Sequence, residues 1–332
     1  MNPFTLQAPA KLNLSLRVLG KRDDGFHEID TLMVKLPGLA DELEFSEAAD
    51  FCFKCNDPSV PGDDRNLVVK AARAYEAAAG IRCQCLISLK KAIPHGAGLG
   101  GGSSDAAMTL LGLNRLHDYK LGVEKLHQLA AALGSDIPFF LTTGASRCTG
   151  RGEKIEPVPS PPALSVLLLK PSFSVPTPDA FDRWKQSLEL PGVRYRAQEA
   201  RGISLANDLE RPVFGKHRFL AELKQWLLER RETVAALMSG SGSTVFAVLN
   251  DLADASTLES AARAELDPGL WSWSGMTESS FQAAPRQASL GLFAGSQLER
   301  PLPAGILAAS GIIEGDVDSE KERLDHLERK HR

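Results

Sequence analysis

The chain has 332 residues, 43% of them apolar and 24% charged, with 28 Gly and 20 Pro, a composition that excludes collagen-like, low-complexity and wholly disordered classes. Lys and Arg total 38 against 42 Asp and Glu, a formal net charge of −4, which argues against broad electrostatic binding of nucleic acid or an anionic membrane; any polyanion site must be local. No apolar run approaches the roughly 18 residues of a membrane span, and residues 1–11 lack a basic stretch followed by an apolar one, so the expected location is cytoplasmic.

The first element is Ala10 to Leu19, where Leu12, Leu14, Leu16 and Val18 alternate with Lys11, Asn13, Ser15 and Arg17 at the strand period. Lys11 and Asn13 therefore share a face. A turn-rich patch from Gly20 to Gly25 leads through Phe26-His27-Glu28-Ile29 into another apolar run around Leu32 to Leu36. Asn66 to Ala79 reads as an Ala-rich helix and Cys83 to Leu89 as a strand. A helix rich in Leu follows the next glycine-rich loop, with Ser103 or Ser104 as its cap, and a second, Val123 to Leu133, stops at Gly134.

Pro157 to Pro162 holds four prolines and is the expected linker, dividing the chain into domains at 1–156 and 163–280. Beyond it, Leu164 to Leu169 reads as a buried strand, His217 to Arg230 as an amphipathic helix, and Val245 to Leu249 as a strand. Residues 281–332 read as a mobile extension, charged toward the end. Of the five cysteines, Cys52, Cys55, Cys83 and Cys85 have spacings compatible with a zinc site. Their alternation within Phe-Cys-Phe-Lys-Cys and Cys-Gln-Cys-Leu-Ile fits strand positions better, and reduced thiols are expected.

Pro94-His-Gly96-Ala97-Gly98-Leu99-Gly100-Gly101-Gly102-Ser103-Ser104 sets five glycines between a strand and a helix. Backbone N–H groups of such a loop close around an anion, with the positive end of the helix dipole behind them. Phosphate is the natural ligand. A Walker A loop would carry Gly-Lys-Ser/Thr, which is missing; Gly96-x-Gly98-x-x-Gly101 satisfies the dinucleotide fingerprint, but the acidic residue expected on a second strand falls among helices instead.

The ordered set of segments resembles the GHMP small-molecule kinases. Ala8-Pro-Ala-Lys11-Leu-Asn13-Leu is similar to the opening strand motif, Asp24-Gly-Phe26-His27 to a Gly-Tyr-His segment, and residues 93–107 to the ATP loop. Leu133-Gly-Ser-Asp136-Ile-Pro138 resembles the catalytic aspartate motif, Met238-Ser-Gly240-Ser241-Gly242-Ser-Thr the third motif; Val175-Pro-Thr177-Pro and Asn207-Asp-Leu-Glu210 also match. The resemblance covers about residues 4–276. It implies an α+β, two-domain GHMP kinase fold, with an ATP domain like the second domain of ribosomal protein S5 and a ferredoxin-like C-terminal domain.

The resemblance also implies the activity: transfer of the ATP γ-phosphoryl group to the 2-hydroxyl of a cytidine-diphosphate-linked methylerythritol, with Mg²⁺. Asp136 takes the hydroxyl proton and Lys11 holds Asp136 ionised. Asn66 lies near the adenine or ribose, Pro94 and Gly96 to Ser104 cradle the triphosphate, and Ser103 or Ser104 reaches the metal. Phe26 and Phe181 sandwich the cytosine, His27 reads its edge, Asn13 lies near the methylerythritol, and Thr177 with Gly240-Ser241-Gly242 lies on the substrate side. Phe26 replaces the commoner Tyr, keeping the stacking face. Other readings are a different GHMP small-molecule kinase, or a noncatalytic nucleotide- or RNA-binding module on the same fold.

Overall fold

The computed structural model describes residues 2–250 and 253–279. Its chain opens with a long antiparallel hairpin, β1 (Phe4–Lys21) and β2 (His27–Glu47), whose register slips at Pro9/Ala10, Asn13/Ser15 and Val18/Gly20. Such bulges re-aim side chains near sites. Leu12 and Leu14 are fully buried, as the alternation predicts, but Lys11 and Asn13 are only 3% exposed; the polar face of β1 is covered at these two residues and reaches water at Arg17. β3 (Cys52–Cys55), α1 (Leu67–Ala79) and β4 (Cys85–Lys90) follow, and β3 and β4 pair in parallel. Asn66 caps α1, its Oδ1 accepting from Val68 N at 2.8 Å. Burial pushes the Cys83 thiol up to about 12 and the Cys85 thiol up to about 11, which disfavours the thiolate a metal needs.

α2 (Gly101–Leu116), α3 (Val123–Leu133) and the single turn α4 (Ile137–Phe140) come next. The cap of α2 differs from the sequence expectation. Gly100 occupies it in the left-handed region, φ 72°, and Ser103 and Ser104 lie inside the first turn; the helix starts as soon as the glycine turn closes. β5 (Ser146–Gly150) pairs with β2, and β6 (Lys154–Pro157) pairs with β5.

Past the proline-rich segment lie β7 (Ser165–Lys170), α5 (Thr177–Arg183), β8 (Gln198–Ala200), β9 (Ile203–Asn207), α6 (Glu210–Lys216), α7 (Arg218–Leu228), β10 (Thr233–Met238), β11 (Val245–Leu249), α8 (Ala255–Glu265) and β12 (Trp271–Met276). The helix read from His217 to Arg230 is α7, and a separate α6 precedes it. Strands β7, β10, β11 and β12 form an antiparallel sheet in the order β10-β11-β7-β12. With helices after its first and third strands, this is the ferredoxin-like arrangement. The other sheet runs β3-β4-β2-β1-β9-β8, with β5 and β6 branching from β2.

β9 pairs in parallel with β1, so chain from beyond the proline-rich segment completes the first sheet. β7 is buried from both sides: Leu167 and Leu169 pack with Leu16 and Val18, whereas Val166 and Leu168 pack with Leu12, Leu14 and Phe246. All described residues fall in one compact unit. The boundary expected at 157–162 thus separates sequence segments that share a core and a sheet. The extension expected from residue 281 lies outside the described residues. No helix among the described residues is long and apolar enough to cross a membrane.

Lys35 on β2 is 8% exposed. Its ammonium donates to the Thr142 carbonyl just after α4 and stands 5.2 Å from the centre of the Phe139 ring. Burial lowers its pKa from 10.5 to about 8. Between those values the unfolded chain holds a proton that the folded chain has released, so this group's contribution to stability rises with pH. Wild type should therefore gain about 2 kcal/mol relative to Lys35→Met between pH 7 and pH 9.5. Urea denaturation of both proteins at the two pH values checks this; a constant difference between them would refute it.

Candidate active site

The glycine loop connects β4 to α2. Gly96, Gly98 and Gly100 all have φ near the left-handed region, 62°, 73° and 72°. The Lys11 N–H of β1 donates to Leu99 O at 2.9 Å, and the second lobe reaches the loop through residues 239–244: Ser239 Oγ donates to Gly98 O at 3.0 Å and Thr244 N to Ala97 O at 3.2 Å. At Gly98 a Cβ would stand 2.3 Å from Ser239 O and 2.8 Å from Gly242 O, so only glycine allows this docking. The start of α2 adds free backbone N–H groups and the positive end of a 16-residue helix.

Residues 239–244 are in turn held from below. Asn207 Nδ2 donates to Met238 O at 2.8 Å and Gly240 O at 2.7 Å. Glu210 accepts from Met238 N at 3.0 Å and from Lys224 Nζ at 2.6 Å, an ion pair in which both side chains are 1% exposed. Asp208 ties residues 207–210 to β1 by accepting from Val18 N and Arg17, each at 2.9 Å. These bonds account physically for the Asn207-Asp-Leu-Glu210 segment singled out in the sequence.

The two loops border a cleft of about 740 Å³. Every residue given a catalytic or ligand-binding role from the sequence borders it except Ser104, which is fully buried in α2 with its hydroxyl unpartnered. Beside the glycine loop, Lys11 Nζ donates to Asn13 Oδ1 at 2.5 Å and lies 3.7 Å from Asp136 Oδ2. Asn13 Nδ2 donates to Thr31 Oγ1 at 2.8 Å, which orients the amide with its oxygen toward Lys11. Burial lowers the pKa of Lys11, with the Asp136 charge opposing. Asp136 occupies the cap position of α4, yet its side chain makes no capping bond, and 36% of that side chain is exposed. Its carboxylate is thus available to a ligand in the cleft.

Aromatic residues stand elsewhere on the same rim. Phe26 is 50% exposed. The His27 ring lies 5.3 Å from that of Phe181, tilted by 31°, and meets Trp184 edge-on at 6.2 Å; burial lowers the His27 pKa. Thr177 Oγ1 and Ser241 Oγ are 2.8 Å apart, joining α5 to the 239–244 loop. Asn66 commits its amide to capping and to Pro61 O, at 2.8 Å each.

Sequence reasoning missed Arg151, whose guanidinium stacks on Phe26 at 4.6 Å and which borders the cleft. It lies in the turn between β5 and β6, beside a Gly152 whose Cβ would stand 3.7 Å from Asp136 Oδ1. No local pattern marks it, because its neighbours in the cleft are distant in sequence.

A phosphate-type loop, a buried lysine beside an available carboxylate and a second lobe closing on both are the features of a small-molecule kinase. Residues 66–144 match the GHMP kinases N terminal domain and residues 195–267 the GHMP kinases C terminal domain. A 4-diphosphocytidyl-2-C-methyl-D-erythritol kinase of Methylacidiphilum infernorum (isolate V4) is 41% identical over 279 residues, covering 80% of this chain and 93% of the relative. Its namesake in Bacillus cereus (strain B4264) is 40% identical over 255 residues, 74% of this chain and 88% of that one. The chain belongs to the GHMP kinase family, and within it to the group of these 4-diphosphocytidyl-2-C-methyl-D-erythritol kinases. A crystal structure of 4-(cytidine 5'-diphospho)-2C-methyl-D-erythritol kinase superposes with a TM-score of 0.67 at 33% identity, covering 82% of this chain and 99% of that one. A homoserine kinase from Cytophaga hutchinsonii shares the fold, with a TM-score of 0.60 at 18% identity over 84% and 95% of the two chains.

The docking of the two loops is open to test at Gly98. Gly98→Ala adds both left-handed strain and a backbone clash, and should destabilise the protein by about 2–4 kcal/mol. Gly192→Ala, at φ 77° with nothing within 4 Å of the added carbon, carries the strain alone and should cost about 1 kcal/mol. Equal losses in denaturant titrations would mean that the close approach to Ser239 and Gly242 contributes nothing.

Proposed function

We propose that this protein transfers the γ-phosphoryl group of ATP to the 2-hydroxyl of 4-diphosphocytidyl-2-C-methyl-D-erythritol, releasing ADP. The observation that carries the reading is a continuous run of groups along the cleft. The glycine loop adjoins Lys11, Lys11 lies 3.7 Å from Asp136, and the turn that passes Asp136 at Gly152 carries Arg151, which stacks on Phe26. A triphosphate, a reacting hydroxyl and a nucleobase need chemistry of those kinds in that order.

The acceptor is a tertiary alcohol and a poor nucleophile, and phosphoryl transfer depends mainly on alignment and charge stabilisation. Asp136 accepts the hydroxyl proton as the phosphorus–oxygen bond forms. Lys11, 3.7 Å from Asp136, faces the charge that develops on the transferred oxygens; Asn13 fixes the ammonium and stands by the methylerythritol. Pro94, Gly96, Ala97, Gly98, Leu99, Gly100, Gly101, Gly102 and Ser103 enclose the triphosphate. Asn66, its amide already committed, offers the adenosine backbone and shape. ATP would enter as its magnesium complex; of the two serines the hydroxyl of Ser103, which borders the cleft, would suit a hard cation, whereas Ser104 is buried away from it.

At the other end Phe26 and Phe181 flank the cytosine, and His27, held against Phe181 and Trp184, reads its edge. Arg151 lies over Phe26, where a guanidinium pairs with a phosphate or a base carbonyl. Thr177, Gly240, Ser241 and Gly242 line the substrate side.

ADP release with the cytidine-diphospho-methylerythritol substrate, and none with CDP alone, tests the reaction. Asp136→Asn removes the base while keeping the shape, so turnover should fall about 10²–10⁴-fold with both ligands still bound. Near-normal single-turnover rates would refute the base assignment. Phe181→Ala should weaken the cytidine substrate by about 1–3 kcal/mol and leave ATP binding unchanged, read from KM for each substrate. Equal effects on both substrates, or none on either, would remove the stacking role.

A further inference from the structure

Under the glycine loop lies a cluster of charged side chains that the transfer chemistry leaves unused. Asp41, on β2, is completely buried. Its Oδ1 accepts from Ala92 N at 2.6 Å and Ile93 N at 2.8 Å, the two residues that lead into the loop at Pro94. Its Oδ2 accepts from the Lys91 ammonium, which also donates to Asp105 Oδ2 at 2.8 Å. Asp105 belongs to α2, directly after the loop. A single carboxylate therefore binds the entry of the loop itself and reaches its exit through Lys91. A Cβ at Gly101 would stand 3.3 Å from Asp41 Oδ2, so the carboxylate lies against the junction of loop and helix.

Two features separate this cluster from a closed structural network. Asp105 Oδ1 and Ser104 Oγ are buried without partners, where purely structural polar groups are nearly always paired. Two buried carboxylates also stand beside a loop suited to anions, an arrangement that repels phosphate unless a cation offsets it; Lys91 sits between them.

We propose that Asp41 is a positioning residue for the nucleotide loop, acting through the Ala92 and Ile93 amides and, by way of Lys91 and Asp105, through the start of α2. It fixes the distance between the two ends of the loop, and hence the curvature on which its N–H groups converge. Lys91 keeps the cluster from opposing the bound anion. The inference rests on the reading of the glycine loop as the ATP site.

Asp41→Asn retains an oxygen for the backbone amides but sets an NH₂ group against Lys91. Calorimetric titration should show ATP binding weakened about tenfold or more, with the cytidine substrate changed by less than about twofold. Unchanged ATP affinity, or equal weakening of both ligands, would overturn the inference. Hydrogen exchange on nucleotide-free wild type decides should the variant not fold: the Ala92 and Ile93 amides should exchange as slowly as those of β4, and fast exchange at both would overturn the preformed anchor. Wild type that fails to bind ATP would overturn the ATP-site reading itself, and the inference with it.

Discussion

An ammonium group taken out of water must be surrounded by oxygens or lose its charge. Lys11 is 3% exposed, and the site is arranged around that constraint. Asn13 supplies one oxygen, turned inward by its bond to Thr31; Asp136 supplies negative charge from a helix that packs on another side. The register slips in β1 at Pro9/Ala10 and Asn13/Ser15 flank the pair. Lys11 also uses its backbone N–H to hold Leu99 of the glycine loop, so one residue sets both the charged group and the edge of the loop beside it.

The second lobe contributes through a shared core. Because β7 buries alternate residues against two clusters, and β9 extends the first sheet, residues 239–244 are carried to the glycine loop on a continuous apolar support. Polar bonds then set the final register: Asn207 and Glu210 hold the start of the segment, and Ser239 and Thr244 hold the loop opposite. The division of labour is physical. Apolar burial supplies the stability, whereas hydrogen bonds that must be satisfied choose one arrangement among those the core allows.

Much of this was legible in the chain because it is local. Alternation placed Lys11 and Asn13 on one face, and the glycines announced a strand-to-helix turn. Val245–Leu249 and Val123–Leu133 end where the apolar pattern ends. What escaped is nonlocal or chemically ambiguous. Nothing near residue 203 announces a parallel partner at Ser15. Asp41, in Leu-Ala-Asp-Glu-Leu, has the look of a solvated strand carboxylate until Ala92, Ile93 and Lys91 close on it. The serine cap of α2 failed for a geometric reason: a left-handed Gly100 already turns the chain into the helix, leaving Ser103 and Ser104 within it. Arg151 has no signature at all, because it gains meaning only from Phe26, distant in the sequence.

The formal charge of −4 raises a further question for a protein that, on the proposed reading, takes two polyanionic substrates. The cationic side chains nearest the loop are largely neutralised by the protein itself: Lys11 faces Asp136, and Lys91 lies between Asp41 and Asp105. The attraction for phosphate must therefore come mainly from backbone N–H groups and from the end of α2, which carry partial charges and no counterion of their own. Such dipoles act only at contact distance. A site built on them discriminates by the shape of the phosphate chain, where a cluster of free lysines would attract any anion. On that reading the curvature of the loop, and the buried groups that hold it, matter more than net charge.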